Sequence, residues 1–246
     1  MGLGACCVSG YKHEGTPSGK FETLEGYKTY VALPEGEYNK EKALLFLTDI
    51  FGTELPNGQL LVDSFACSAA NIPVYMPDLP LGDPISKDDL NNGKVDLGEW
   101  FGRHSKEITR PVIDGVVKAL RAQGVKEFAA IGYCWGARYV VDLVFDDIAK
   151  VGIVAHPSLL EIPKDVEELN KKPAHFLWLN ALQDYMHTQE KQQQTREILK
   201  ENPRHKHLDF EGGHGFALRG NLEDPKQAAE ADRAFKESVA FIKEHL

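Results

Sequence analysis

The stretch Ile131-Gly132-Tyr133-Cys134-Trp135-Gly136-Ala137 ends an apolar run that begins at Phe128. It places a cysteine between two glycines, the pattern of a nucleophile elbow, which is a sharp strand-to-helix turn that presents an attacking side chain. Glycine suits both flanks because a Cβ there would collide with neighbouring backbone. A cysteine after a strand can also be a small buried hydrophobic residue. The pattern therefore predicts a nucleophile only if the rest of the chain supplies a base and an acid.

The composition is that of an ordinary globular protein. The 246 residues are 42% hydrophobic and 26% charged, and α/β chains of about 250 residues often fold undivided. We therefore expect a single domain over residues 1–246. No apolar run approaches the roughly 20 residues that cross a bilayer, so we expect no membrane partner. The net charge of −9 would repel phosphate backbones, which argues against nucleic acid as a partner.

The four cysteines form neither a disulfide framework nor a CxxC metal pair, which favours a reducing, cytoplasmic setting. A second group of polar residues, His205, His207 and Asp209, alternates along a predicted strand. A metal site can be imagined there, but no second ligand-rich segment completes it. We interpret this group as a solvated strand face and expect no metal.

Strand-like and helix-like segments alternate from residue 43 to the end of the chain. Continuous apolar runs such as Ala43–Leu47 are typical of strands buried on both faces of a parallel sheet. Helical spacing follows in several places, with one helix predicted over 100–123. The alternation predicts the α/β class, with a mostly parallel central sheet covered by helices on both faces. Residues 1–20 are predicted to be an irregular arm, and residues 78–98 a long loop that could act as a lid or cap.

Functional side chains in such sheets lie at the carboxyl ends of the strands. Six chemically useful residues directly follow predicted strands: Asp49, Asp78, Cys134, His156, Asp184 and His214. Three of them succeed one another as nucleophile, acid and histidine, the order that the chain path of an α/β-hydrolase imposes. A turn histidine without a role is the alternative for His214, but its strand position, its place in the order and its flanking glycines together favour catalysis.

The chemistry of a thiol explains why these three residue types belong together. A free cysteine has a pKa of about 8.5, so a base or a positive environment must generate the thiolate at neutral pH. His214 can act as that base, and Asp184 can hold the imidazole in the required tautomer. Trp135 opens a helix, so its backbone N–H can stabilise both the thiolate and an oxyanion. The second oxyanion donor should be the N–H of Ile50, after the Ala43–Leu47 strand.

Several stretches resemble the dienelactone hydrolases, also called carboxymethylenebutenolidases, a family with the α/β-hydrolase fold. They are Asp49-Ile50-Phe51-Gly52, Pro77-Asp78 leading to Gly82-Asp83-Pro84, Gly132-Tyr133-Cys134-Trp135-Gly136, Asp184 and Gly213-His214-Gly215-Phe216. The arm from His13 to Gly19 resembles the eukaryotic, fungal-like branch. The resemblance implies a Cys-His-Asp triad of Cys134, His214 and Asp184. It also implies small lactones or esters as substrates, with no metal or other cofactor.

Two positions depart from the bacterial members of that family. Those members carry Glu at the position of Asp49, where it contacts the resting cysteine, and an arginine four residues after the catalytic histidine. Here that second position is Leu218, with Arg219 beside it. Asp49, Arg219 and Arg103 are therefore the candidate substrate-binding residues, and the preferred substrate need not be the bacterial dienelactone.

The sequence thus predicts a cysteine-dependent hydrolase of small carboxylic esters or lactones that forms an acyl-enzyme on Cys134. We expect it to act as a monomer or a homodimer. The competing hypothesis is a non-catalytic ligand-sensing or interaction protein that keeps the same fold, because a fold does not by itself fix a function.

Overall fold

The computed structural model describes residues 15–68 and 71–246, and the prediction for the arm falls mostly outside these ranges. Eight strands are present in them: β1 (Lys20–Leu24), β2 (Tyr27–Ala32), β3 (Lys42–Leu47), β4 (Val74–Pro77), β5 (Glu127–Tyr133), β6 (Ala149–Ala155), β7 (His175–Gln183) and β8 (His205–Gly213). The helices are α1 (Pro56–Ser68), α2 (Lys87–Asn91), α3 (Leu97–Arg103), α4 (Lys106–Ala122), α5 (Gly136–Phe145), α6 (Lys164–Leu169), α7 (Gln189–Leu199), α8 (Phe216–Arg219) and α9 (Pro225–His245).

The eight strands form one sheet in the order β1-β2-β4-β3-β5-β6-β7-β8. The pairs β1/β2 and β2/β4 are antiparallel, and every pair from β4 to β8 is parallel. The predicted α/β class with a mostly parallel sheet is therefore confirmed. The carboxyl ends of β3, β5, β6, β7 and β8 consequently meet at one edge of the sheet.

Strand β3 shows why the runs of apolar residues are continuous. Leu45 and Leu47 pack into a core on one face, together with residues of α4 and α5. Leu44 and Phe46 point to the opposite face, into a core that α1 and α9 cover. Because alternate side chains enter two different cores, no polar alternation is left along the strand.

The segment after β4 is more structured than the sequence indicated. Helix α2 lies inside the predicted loop 78–98, with Ser86 accepting a hydrogen bond from the N–H of Asp89 at its N-terminus. The single helix predicted over 100–123 is wrong, because α3 ends at Arg103 and α4 begins at Lys106. The break falls at His104, whose ring nitrogens lie 2.8 and 3.0 Å from the carbonyl oxygens of Trp100 and Pro80. A lid function for this segment stays a prediction.

The polar face predicted on β8 is only partly solvated. The rings of His205 and His207 stack on Phe176 and Trp178 at centroid distances of 5.8 and 5.7 Å, and only Asp209 is exposed. The solvated interpretation is therefore wrong for the two histidines, because the aromatic residues of β7 cover them. Among the described residues, no helix is both long and apolar enough to cross a bilayer.

Candidate active site

The elbow around Cys134 has the strained geometry that its sequence pattern predicts. Cys134 lies between β5 and α5 with a φ of 51°, a left-handed conformation that non-glycine residues rarely adopt. A Cβ on Gly136 would lie 2.1 Å from the carbonyl oxygen of Leu47, and one on Gly132 would lie 2.6 Å from that of Gly136. The two glycines therefore allow the elbow to pack directly against the end of β3.

His214 and Asp184 form a buried pair at the neighbouring strand ends. The Nδ1 of His214 lies 2.9 and 3.0 Å from the two carboxylate oxygens of Asp184. The backbone N–H groups of Met186 and His187 donate to the same carboxylate at 2.7 and 3.1 Å. The acid is thus fixed in place from two directions, and the free edge of the imidazole is left for Cys134, which interacts electrostatically with His214.

The electrostatics of this group favour a charged imidazole. Burial alone lowers the pKa of His214, but its hydrogen bonds to Asp184 and Cys134 outweigh burial and raise that pKa to about 9. Burial acts to raise the pKa of Asp184, yet the hydrogen bond from His214 and the two backbone donors leave it lowered. The arrangement can therefore hold an imidazolium between a carboxylate and a sulfur at neutral pH.

The two candidate oxyanion donors flank the elbow. The loop after β3 begins against Gly136, and Trp135 immediately follows Cys134. Within the described residues, no protein acceptor pairs with the backbone N–H of Ile50 or of Trp135. The neighbouring Phe51 N–H is already used, since it donates to Asp49 at 3.0 Å. Unpaired backbone N–H groups at such an elbow are the kind of donor that an oxyanion hole uses.

Asp49 and Arg219 meet in the same region. The Nε of Arg219 lies 2.7 Å from the Oδ2 of Asp49, whose side chain is fully buried. Neither atom has hydrogen-bond geometry with any described group, so we treat the contact as a charge pair that is poorly aligned for a hydrogen bond. Burial raises the pKa of Asp49, and the nearby guanidinium opposes that shift without cancelling it. The structure brings these two predicted residues together beside Phe51, whose ring lies 4.9 Å below the guanidinium.

The other positions named from sequence lie elsewhere. Arg103 is half-exposed on α3 and forms ion pairs with Asp83 and Glu99 at 3.2 and 2.9 Å. Leu218, four residues after His214, is buried. No group of three His, Cys, Asp or Glu side chains in the described ranges is arranged to hold a metal ion.

Three further residues lie near Cys134 and His214: His156, which the sequence named only as a residue that follows a strand, and Ser158 and Tyr185, which it did not single out. Ser158 places its hydroxyl 3.4 Å from the sulfur of Cys134. Tyr185, which is 75% exposed, lies 5.1 Å from the His214 ring, and the buried ring of His156 lies 5.0 Å from it on another side. Their positions directly after β6 and β7 were the available signal, because residues there face the same sheet edge.

Relatives of known description share this architecture. A sequence model described as the Dienelactone hydrolase family matches residues 27–246. A Gibberella moniliformis protein described as "Dienlactone hydrolase 1" is 31% identical over 247 aligned residues, which cover 96% of this chain and 92% of that protein. A "Carboxymethylenebutenolidase homolog" of Xenopus tropicalis is 25% identical, with 98% and 96% covered.

Solved structures agree at the level of the fold. A Klebsiella pneumoniae protein provisionally assigned as a dienelactone hydrolase superposes with a TM-score of 0.71 at 17% identity, covering 93% of this chain and 99% of that one. A dienelactone hydrolase-like promiscuous phosphotriesterase from metagenomic libraries gives 0.67 at 15% identity, with 94% and 99% covered. The chain belongs to the dienelactone hydrolase family and is a carboxylic ester hydrolase with the α/β-hydrolase fold.

Proposed function

We propose that this hydrolase works through Cys134 as nucleophile, with His214 as its acid and base and Asp184 as the group that orients His214. One observation carries the proposal: the His214 ring is held by the Asp184 carboxylate, at 2.9 Å, and interacts electrostatically with a cysteine held at φ 51° on the elbow. A buried structural cysteine would need neither the strained backbone nor an imidazole with a carboxylate behind it.

The reaction follows from these positions. The Cys134 thiolate attacks the ester carbonyl carbon, a C–S bond forms, and the carbonyl oxygen becomes an oxyanion that the N–H groups of Ile50 and Trp135 stabilise. The C–O bond then breaks, and His214 gives its proton to the leaving alkoxide, which stays tethered to the acyl group if the substrate is a lactone. Water attacks the thioester while His214 takes its proton, and breaking the C–S bond releases the acid and restores the thiolate–imidazolium pair.

The substrate class that fits is a small ester or lactone that carries a carboxylate. Arg219 is the cation best placed to receive that carboxylate, because its guanidinium lies over Phe51 in the candidate oxyanion loop and packs against Gly215, next to His214. Arg103 is less well placed because two acidic side chains already occupy its guanidinium at the surface. Arg219→Gln should accordingly raise KM for an acidic lactone and leave KM for neutral p-nitrophenyl acetate nearly unchanged.

The decisive test replaces the nucleophile. Cys134→Ala should reduce hydrolysis of p-nitrophenyl acetate to the uncatalysed background, while the matched control Cys67→Ala should keep the wild-type rate. If Cys134→Ala hydrolysed the ester at the wild-type rate, the proposed mechanism would be wrong. A loss in both variants would point to a damaged fold, which circular dichroism and thermal melting would reveal.

A further inference from the structure

The loop that follows β6 is bound to the elbow through both its backbone and a side chain. The N–H of Cys134 donates to the carbonyl oxygen of Ala155 at 3.2 Å, and the N–H of Ser158 donates to the carbonyl oxygen of Cys134 at 3.0 Å. The Ser158 hydroxyl then lies 3.4 Å from the Cys134 sulfur, within hydrogen-bond distance for that element. One serine therefore contacts both the backbone and the reacting atom of the candidate nucleophile.

The backbone around this serine is strained on both sides. His156 has a φ of 40° and Leu159 a φ of 59°, two left-handed conformations on non-glycine residues. Such a conformation is costly and persists only where the surroundings enforce it. The N–H of His156 is held by the carbonyl oxygen of Leu179 at 3.0 Å, and Ser158 is only 4% exposed. The loop thus accepts strain while it holds the hydroxyl against the sulfur.

Resting on the mechanism proposed above, we propose that the Ser158 hydroxyl is a catalytic hydrogen-bond donor that stabilises the Cys134 thiolate before it attacks. A serine hydroxyl can donate as well as accept, and donation to a charged acceptor gives the stronger bond. The sulfur then has two partners, the imidazolium of His214 and this hydroxyl. When the thioester forms, the negative charge leaves the sulfur and the Ser158 bond weakens, so the serine favours the ready state of the enzyme.

Other titratable groups also act on this sulfur. His214 and Tyr185 interact with it from the loops after β8 and β7. Further out, around His214 and Tyr185, lie Asp184, His156 and the Asp49–Arg219 pair. None of these side chains is changed by a substitution at Ser158, so a change in the pH response of Cys134 in such a variant reports the hydroxyl itself.

The experiment measures the rate at which iodoacetamide alkylates Cys134 between pH 5 and 10, followed on the Cys134 peptide by mass spectrometry. Ser158→Ala should move the pH midpoint of alkylation upward by about one unit, a tenfold change in the thiolate equilibrium. The rate at the high-pH plateau should not fall, because removing a donor leaves the thiolate at least as nucleophilic. An unchanged midpoint would overturn the proposal and leave Ser158 a packing residue.

Two variants of nearly the same shape separate the loss of the hydroxyl from damage to the fold. Ser158→Thr and Ser158→Val have nearly the same shape, and only the threonine keeps a hydroxyl. The threonine variant should titrate close to wild type and the valine variant should shift like alanine, whereas equal midpoints for the two would contradict the proposal. If wild-type Cys134 were alkylated no faster than Cys67 and Cys134→Ala kept its activity, the catalytic mechanism itself would fail. The serine inference alone fails if wild-type Cys134 is reactive and the Ser158 variants leave its pH midpoint unchanged.

Discussion

Histidines occupy two places on the same sheet with opposite electrostatic results. His214, at the carboxyl end of β8, has a pKa raised to about 9. His187, His205 and His207, which lie around Trp178, have pKa values lowered to about 4, 4 and 3. Burial lowers the pKa in both places. The difference comes from the neighbours: of these four histidines, only His214 hydrogen-bonds the Asp184 carboxylate through its ring and also interacts with the Cys134 sulfur.

The largest expected effect comes from removing the proton carrier. His214→Gln should lower kcat/KM for p-nitrophenyl acetate by about a thousandfold, because no other described imidazole contacts Cys134 and acid–base catalysis contributes in that range. The matched control His207→Gln replaces an equally covered ring outside the site and should leave the rate near wild type. Equal losses in the two variants would show that histidine replacement acts through the fold.

Asp184→Asn should reduce the difference in pKa between His214 and the three covered histidines, His187, His205 and His207. Without the carboxylate, burial gains relative weight and the pKa of His214 should fall from about 9 by roughly two units or more. Activity should drop on the order of a hundredfold, since the imidazole loses its orienting partner. NMR titration of the His214 ring measures the shift, and a midpoint that stays near 9 would contradict the account.

Acid stability tests the covered histidines. Their folded pKa values of about 3 to 4 lie below the unfolded value of about 6.5. Above pH 6.5 these histidines are neutral in both the folded and the unfolded chain, so they do not lower the free energy of unfolding. As the pH falls below 6.5, the unfolded chain binds protons first, which favours unfolding. The free energy of unfolding should drop by up to about 1.4 kcal/mol per pH unit for each such histidine. Urea titrations at pH 7, 5.5 and 4.5 should show a shallower drop for His207→Gln.

His214 should show the opposite pH dependence. Its folded pKa lies above the unfolded value, so its contribution to stability is complete below pH 6.5 and is lost as the pH rises through about 9. The same urea titrations at pH 7, 8 and 9.5 should show a smaller alkaline decline for His214→Gln than for wild type. A larger decline in the variant would mean that the sign is wrong.

The smallest expected effect comes from Arg196, a charged residue close to His207. Burial is the main cause of the lowered pKa of His207, and the Arg196 guanidinium lowers it further. Arg196→Gln should therefore raise that pKa by a fraction of a unit, since Arg196 is about one-third exposed and paired with Asp209. NMR titration of His207 checks the direction, and a downward shift would rule out the charge effect.

The sheet and the candidate triad could be predicted from sequence, because the local residue patterns agree with the arrangement of the strands in the sheet. The runs in β3 and β5 are apolar throughout, and the residues after β5, β7 and β8 had to reach one sheet edge. The end of helix α3 could not be predicted in this way. Apolar spacing continues across His104, and the break depends on carbonyl oxygens supplied in part by Pro80, which is distant in sequence.

The surroundings of the site depended on contacts between distant segments. Arg219 was considered for a substrate carboxylate, but its pairing with Asp49 joins residues 170 positions apart (219 − 49) and has no local signature. Ser158 follows a strand that was predicted, yet its hydroxyl reaches Cys134 only through the left-handed turns at His156 and Leu159. Both histidines on β8 were predicted to be solvated, because the stacking of Phe176 and Trp178 on their rings leaves no signature in the alternation along β8.

The most direct test of the central claim is the site of acylation. Wild-type enzyme mixed rapidly with p-nitrophenyl acetate, quenched in acid and mapped by peptide mass spectrometry should carry the acetyl group as a thioester on Cys134, with none on Cys67. An acetyl group on Ser158 or on any other side chain during turnover, with Cys134 unmodified, would contradict the account.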